Sequence, residues 1–127
     1  MEFVLDPTLR SKIKRIRDSL GFSHIKPEKI FTFKSRGSKS RAIARIWSLP
    51  KIWQIALKTD ASYCIEVISE KFDRLKQEDQ DKVLIHELLH IPKNFSGSLL
   101  SHNQNGRQIN KKVVEKLYQE MIKKERR

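Results

Sequence analysis

Val83-Leu84-Ile85-His86-Glu87-Leu88-Leu89-His90-Ile91 sets two histidines one helical turn apart, with a glutamate directly after the first, inside an apolar, helix-forming run. On an α-helix, positions i and i+4 share one face, so the imidazoles of His86 and His90 can converge on a single ion. Leu84, Leu88 and Ile91 form one apolar row and Ile85 and Leu89 a second, leaving the histidines in a narrow strip flanked by core positions. Half-buried imidazoles in such a strip need polar partners, and a metal supplies one. The spacing His-Glu-x-x-His predicts a zinc site in which Glu87 takes a proton from metal-activated water and hands it to a leaving amine, the chemistry of peptide-bond hydrolysis.

Around this helix the pattern is α+β in one domain, the expected size class for 127 residues. Asp6-Pro7 followed by Leu9, Ile13, Ile16 and Leu20 predicts a capped amphipathic helix stopping at Gly21. Ile30 to Phe33 and Ala42 to Trp47 are strand candidates, and the polar turn Arg36 to Ser40 between them suggests a hairpin. Ile52, Trp53, Ile55 and Ala56 fit a short helix begun by Pro50, and Tyr63 to Ile68 is the third strand. Trp47 and Trp53 read as core or groove aromatics, with the core favoured. The acidic run Gln77 to Asp81 suits the start of the histidine helix, and Pro92 should end it near Ile91. Residues 92–106 read as a loop. Asn110 should cap a last helix with the stripe Val113, Val114, Leu117, Tyr118, Met121 and Ile122, before a charged tail, Lys123 to Arg127.

A catalytic zinc takes three protein ligands and keeps one position open. Two candidates follow His90. His102 ends a loop that can fold back over the metal; Glu115 sits on the last helix, roughly 110° from its apolar stripe and so near solvent. A neutral imidazole matches the first two ligands, which favours His102. The extended metzincin signature is not met, because Lys93 and Ser96 stand where it requires Gly and His, and only Glu115 could serve as the glutamate of a thermolysin-like site.

Lys82 to Lys93, then Phe95-Ser96-Gly97 and His102, resemble the small predicted metallopeptidases of archaea and phages. Ala44 to Pro50, Tyr63 to Asp73 and Val114 to Tyr118 are also similar to that family, so the likeness spans about residues 40–120. It implies a minimal zincin-like fold, here a small three-stranded sheet with about four helices. It also implies Zn2+ held by His86, His90 and His102, Glu87 as the catalytic group, and a peptide or protein substrate. In zincin-like proteins an edge strand beside the active helix receives the substrate, and Tyr63 to Ile68 is the natural candidate.

Composition bounds the remaining roles. The single cysteine, Cys64, excludes an intrachain disulfide framework and reads as a small strand residue rather than a nucleophile. Neither an apolar run long enough to span a membrane nor a signal-peptide pattern is present, so a soluble, cytoplasmic protein is expected. The net charge is +12, and residues 1–60 carry 14 Lys and Arg against 5 Asp and Glu. That excess supports a second hypothesis, a basic nucleic-acid-binding protein with a structural zinc site completed by Cys64 or another histidine. No aromatic interleaving accompanies the basic residues in the linear sequence. Tyr118 and His24 are possible oxyanion helpers, though packing and surface roles suit them better.

Overall fold

A computed structural model of the chain describes residues 1–104 and 107–126. β1 (Glu2–Leu5) leads directly into α1 (Pro7–Leu20). Asp6 Oδ1 accepts from the amides of Thr8 and Leu9 at 3.0 and 3.4 Å, Pro7 opens the helix, and Gly21 closes it at φ 67°. That left-handed conformation is open to glycine without strain, which is why the helix stops there. β2 (Ile30–Arg36), β3 (Ala44–Ser48), α2 (Lys51–Leu57), β4 (Tyr63–Ile68), the single turn α3 (Ser69–Phe72) and α4 (Gln77–Leu88) follow. A two-stranded ribbon, β5 (Asn103–Gln104) with β6 (Arg107–Gln108), precedes α5 (Lys111–Glu125).

The main sheet is mixed, with strand order β1-β2-β4-β3. β1 is antiparallel to β2, β2 is parallel to β4, and β3 is antiparallel to β4. The hairpin expected between the second and third of these strands does not form, because β4 lies between them. The sheet has four strands where three were expected; β1 had no alternating pattern to announce it, and all four of its residues are exposed. Among the described residues five α-helices, rather than about four, accompany it. Register separates the two faces. Ile30, Tyr63, Ile65, Val67 and Ala44 turn to one side, where they meet Leu9, Ile13 and Ile16 of α1, Leu84, Ile85 and Leu88 of α4, and Val114 and Met121 of α5. The last helix is capped by Asn110, whose Oδ1 accepts from the Val113 amide at 3.0 Å. The expected charged tail is part of α5 as far as Glu125, which clamps Arg15 through two hydrogen bonds of 2.7 and 2.8 Å; Arg127 lies outside the described residues.

Two further expectations fail. Trp47 and Trp53 are half-exposed rather than core, Trp47 taking the alternative place in a groove, and the apolar residues of α2 face outward while Gln54 is its one buried residue. β4 is also no edge strand. Its Glu66 is 1% exposed and is satisfied from β3, where Arg45 donates at 3.2 and 2.9 Å and the Trp47 indole donates at 3.0 Å. A buried carboxylate of this kind requires a neighbouring strand to supply its donors.

Burial pushes the Glu66 carboxyl up, but the hydrogen bonds from Arg45 and Trp47 and the Arg45 charge outweigh it, leaving the pKa below its ordinary 4.5. A depressed carboxylate pKa contributes stability that is present above the unfolded value and lost as pH falls through the folded one. Glu66→Gln is therefore expected to destabilise the fold by about 1–3 kcal/mol at neutral pH. The gap to wild type should close below about pH 4.5, as denaturant melts at several pH values would show. A gap that stays constant down to pH 3 would contradict the assignment.

Candidate metal centre

The regular hydrogen bonding of α4 ends at Leu88, three residues before the expected stop at Ile91. Leu89 N still donates to Ile85 O, but His90 N donates to Glu87 O and Ile91 N to Leu88 O, each at 3.1 Å. The last turn thus tightens from i→i+4 to i→i+3 bonding, which accommodates Pro92 by drawing the chain out of the helix before it. His86 therefore stands on the helix and His90 on the tightened turn, with their ring centroids 5.2 Å apart.

The loop after Pro92 returns to this turn. Leu100 N donates to His90 O at 2.7 Å, and the His90 Nδ1 lies 2.5 Å from Leu100 O. With the proton on Nδ1, that contact is a hydrogen bond to the carbonyl, which leaves Nε2 as the free lone pair, the usual way a ligating histidine is oriented. Two residues further on, His102 reaches the same point. Its ring lies 4.7 Å from that of His90 and 5.2 Å from that of His86, and its Nε2 is 3.2 Å from His86 Nε2.

The loop is held from the sheet side. Tyr63 Oη donates to Ser98 O at 2.8 Å and accepts from Gly97 N at 2.9 Å, while Gln54 Nε2 donates to Leu49 O at 2.8 Å and Ser96 O at 3.1 Å. Gly97 has φ 97°, and a Cβ there would stand 2.3 Å from Gln54 Nε2 and 2.8 Å from Leu49 O. Gly97→Ala is accordingly expected to cost about 2–4 kcal/mol through combined backbone strain and overpacking. A lowered melting temperature together with faster proteolytic nicking between residues 92 and 102 would be the signature. Neither Gln54 nor Tyr63 was expected to serve the site. The inverted pattern of α2, a lone glutamine among apolar residues, was the available signal for Gln54.

One ring nitrogen from each of His86, His90 and His102 lies within 4.8 Å of the others, so the three can hold a metal ion. The donor set fits zinc. Nitrogens bound at ~2.05 Å in a tetrahedron sit about 3.3 Å apart, close to the 3.2 Å between His86 and His102. Burial, followed by the charges of His90 and His102, pulls the His86 pKa down to about 4, so at neutral pH its lone pair is available. Glu87 is not part of the nitrogen cluster but lines the same cleft, 8% exposed, and burial pushes its pKa up to about 7. A dication nearby acts in the opposite sense and favours the carboxylate.

The cleft is walled on its far side by Ala42 and by Ala44, Arg45, Ile46 and Trp47 of β3. β3 is the terminal strand on that side of the sheet, so the strand beside the candidate site is β3 and not Tyr63 to Ile68. Glu115 is drawn away to Lys82, which donates to it at 3.1 Å. Cys64 and His24 are outside the histidine cluster, which among the described residues contains no fourth ligand. Burial raises the Cys64 pKa, the reverse of what a nucleophile requires. Tyr118 packs under the Lys82 ammonium, 5.1 Å from its ring centre, and lines no part of the cleft. No helix among the described residues is long and apolar enough to cross a membrane.

The model of one protein family, described as "Putative phage metallopeptidase", matches residues 1–125. Neither a curated protein nor a solved structure matches the chain.

Proposed function

The chain belongs to the phage metallopeptidase family, and from that membership and the geometry of the cleft we propose that it is a zinc-dependent peptidase using Glu87 as general base. The observation that carries this reading is the meeting of three imidazoles, drawn from the helix, the tightened turn and the returning loop, beside a buried carboxylate that does not join them. His86, His90 and His102 would hold the ion. When bound, zinc supplies a Lewis acid that acidifies water and polarises a carbonyl.

The remaining work falls to the chain's own groups. Glu87, shielded from bulk solvent, would accept the proton of the attacking water and return it to the leaving amine, a role for which burial raises its affinity for protons. The His90 hydrogen bond to Leu100 O keeps that ring from rotating. β3 offers an open main-chain edge along the cleft, on which an extended peptide can lie as an added strand. The inert groups opposite the histidines, Ala42 and Ala44, leave room for it.

The test is metal analysis of the purified chain combined with a peptide-library digest, before chelation, after chelation and after zinc is restored. One zinc per chain is expected, with cleavage that disappears on chelation and returns with the metal. Cleavage indifferent to chelation would defeat the proposal.

A further inference from the structure

The sheet face turned away from the helices is aromatic. Register places Phe31, Cys64 and Trp47 in one row across β2, β4 and β3, and Leu5, Phe33, Glu66 and Arg45 in the next across all four strands; Phe3, Ser35 and Ile68 form a third, of which only Phe3 is exposed. Phe3 is 49%, Phe31 40% and Trp47 50% exposed. Phe31 and Phe33 are about 6.6 Å apart along one strand, and the small Cys64 lies between Phe31 and Trp47. Cations lie over both exposed rings of the first row, the Arg10 guanidinium 5.7 Å from the Phe31 centroid and that of Arg45 5.4 Å from the Trp47 centroid. The only carboxylate in these rows, Glu66, is buried and neutralised by Arg45.

Charge decides what can cover such a face. A chain of net charge +12, with 14 Lys and Arg against 5 Asp and Glu in residues 1–60, the part of the chain that includes β1, α1, β2 and β3, repels a second copy and attracts a polyanion. Aromatic rings interleaved with arginines on an open sheet are the two components of single-strand recognition, in which bases stack on the rings and the cations follow the phosphates. The interleaving missing from the linear order is produced by strand pairing. We propose that this face binds single-stranded nucleic acid, with Phe3, Phe31 and Trp47 as stacking positions and Arg10 as a backbone contact. Phe3 and Phe31 line no part of the histidine cleft, whereas Trp47 also walls it, so Phe3 and Phe31 are the positions that test binding apart from the peptidase reading.

The experiment uses the full chain and fluorescein-labelled 12-nucleotide oligo(dT) and oligo(rU), read by anisotropy at low and moderate salt. Wild type should bind single strands and lose affinity as salt rises. Phe31→Leu should bind about 5- to 150-fold more weakly, the range for losing one stacked base, while Phe31→Tyr retains binding. Thermal melts check folding, and Phe3→Leu, on a strand exposed at every residue, provides a second variant that leaves the core untouched. Absence of binding at low salt would overturn the proposal. So would wild-type affinity in both leucine variants, or a preference for duplex DNA or for anionic phosphatidylserine vesicles that single strands do not compete away.

Discussion

Glu87→Gln is expected to lower peptide hydrolysis by about 10²–10⁴-fold while leaving the zinc content at one per chain. The amide keeps the shape of the buried side chain but cannot take up a proton, so the step that activates the nucleophile loses its acceptor. Because Glu87 stands outside the cluster of three imidazole nitrogens, the metal should stay. The amide also removes the cost of burying a charge, so the variant should melt at or above the wild-type temperature. Initial rates on a cleaved library peptide, with zinc measured on the same samples, separate the roles. Hydrolysis at the wild-type rate would remove Glu87 from the mechanism, and loss of zinc would make it a ligand.

His102→Ala should weaken zinc binding by at least about a hundredfold, beyond the 10–100-fold typical of losing a group that only supports a ligand. The side chain contributes one of three nitrogens, and no other described His, Cys, Asp or Glu joins the cluster to replace it. Glu115→Ala should leave affinity unchanged, since that carboxylate is engaged with Lys82 on the outside of the helices. Competition titration with a chromophoric chelator distinguishes the two. Loss of affinity in Glu115→Ala with retention in His102→Ala would reverse the assignment of the third ligand.

The helical parts of the chain were the most legible, because their signals are local. Asp6, Pro7 and Gly21 bound α1 as read, and the apolar rows of Leu84, Ile85 and Leu88 meet the core as their periodicity requires. Strand order was not legible. A polar turn between two β-prone runs reads as a hairpin whenever nothing in the sequence reveals a third strand inserted between them, and here β4 is that strand. The alternation of Tyr63 to Ile68 likewise concealed its central position, because Glu66 looks like a solvent-facing residue until Arg45 and Trp47 are seen to satisfy it.

The candidate site divides along the same line. His86, Glu87 and His90 are within one helical turn of each other, so the 3.6-residue period was enough to join them. His102 could only be nominated. It arrives through Leu100 pairing with His90, Gly97 fitting between Gln54 and Leu49, and Tyr63 bridging Gly97 and Ser98, contacts between segments up to 42 residues apart. The sequence by itself determined that two histidines and a glutamate share one helical turn, because that depends only on the period of a single helix. Tertiary structure alone brought His102 to the other two imidazoles, set the β3 edge along the cleft and assembled the aromatic sheet face, because each is created by strand pairing and loop closure between distant residues.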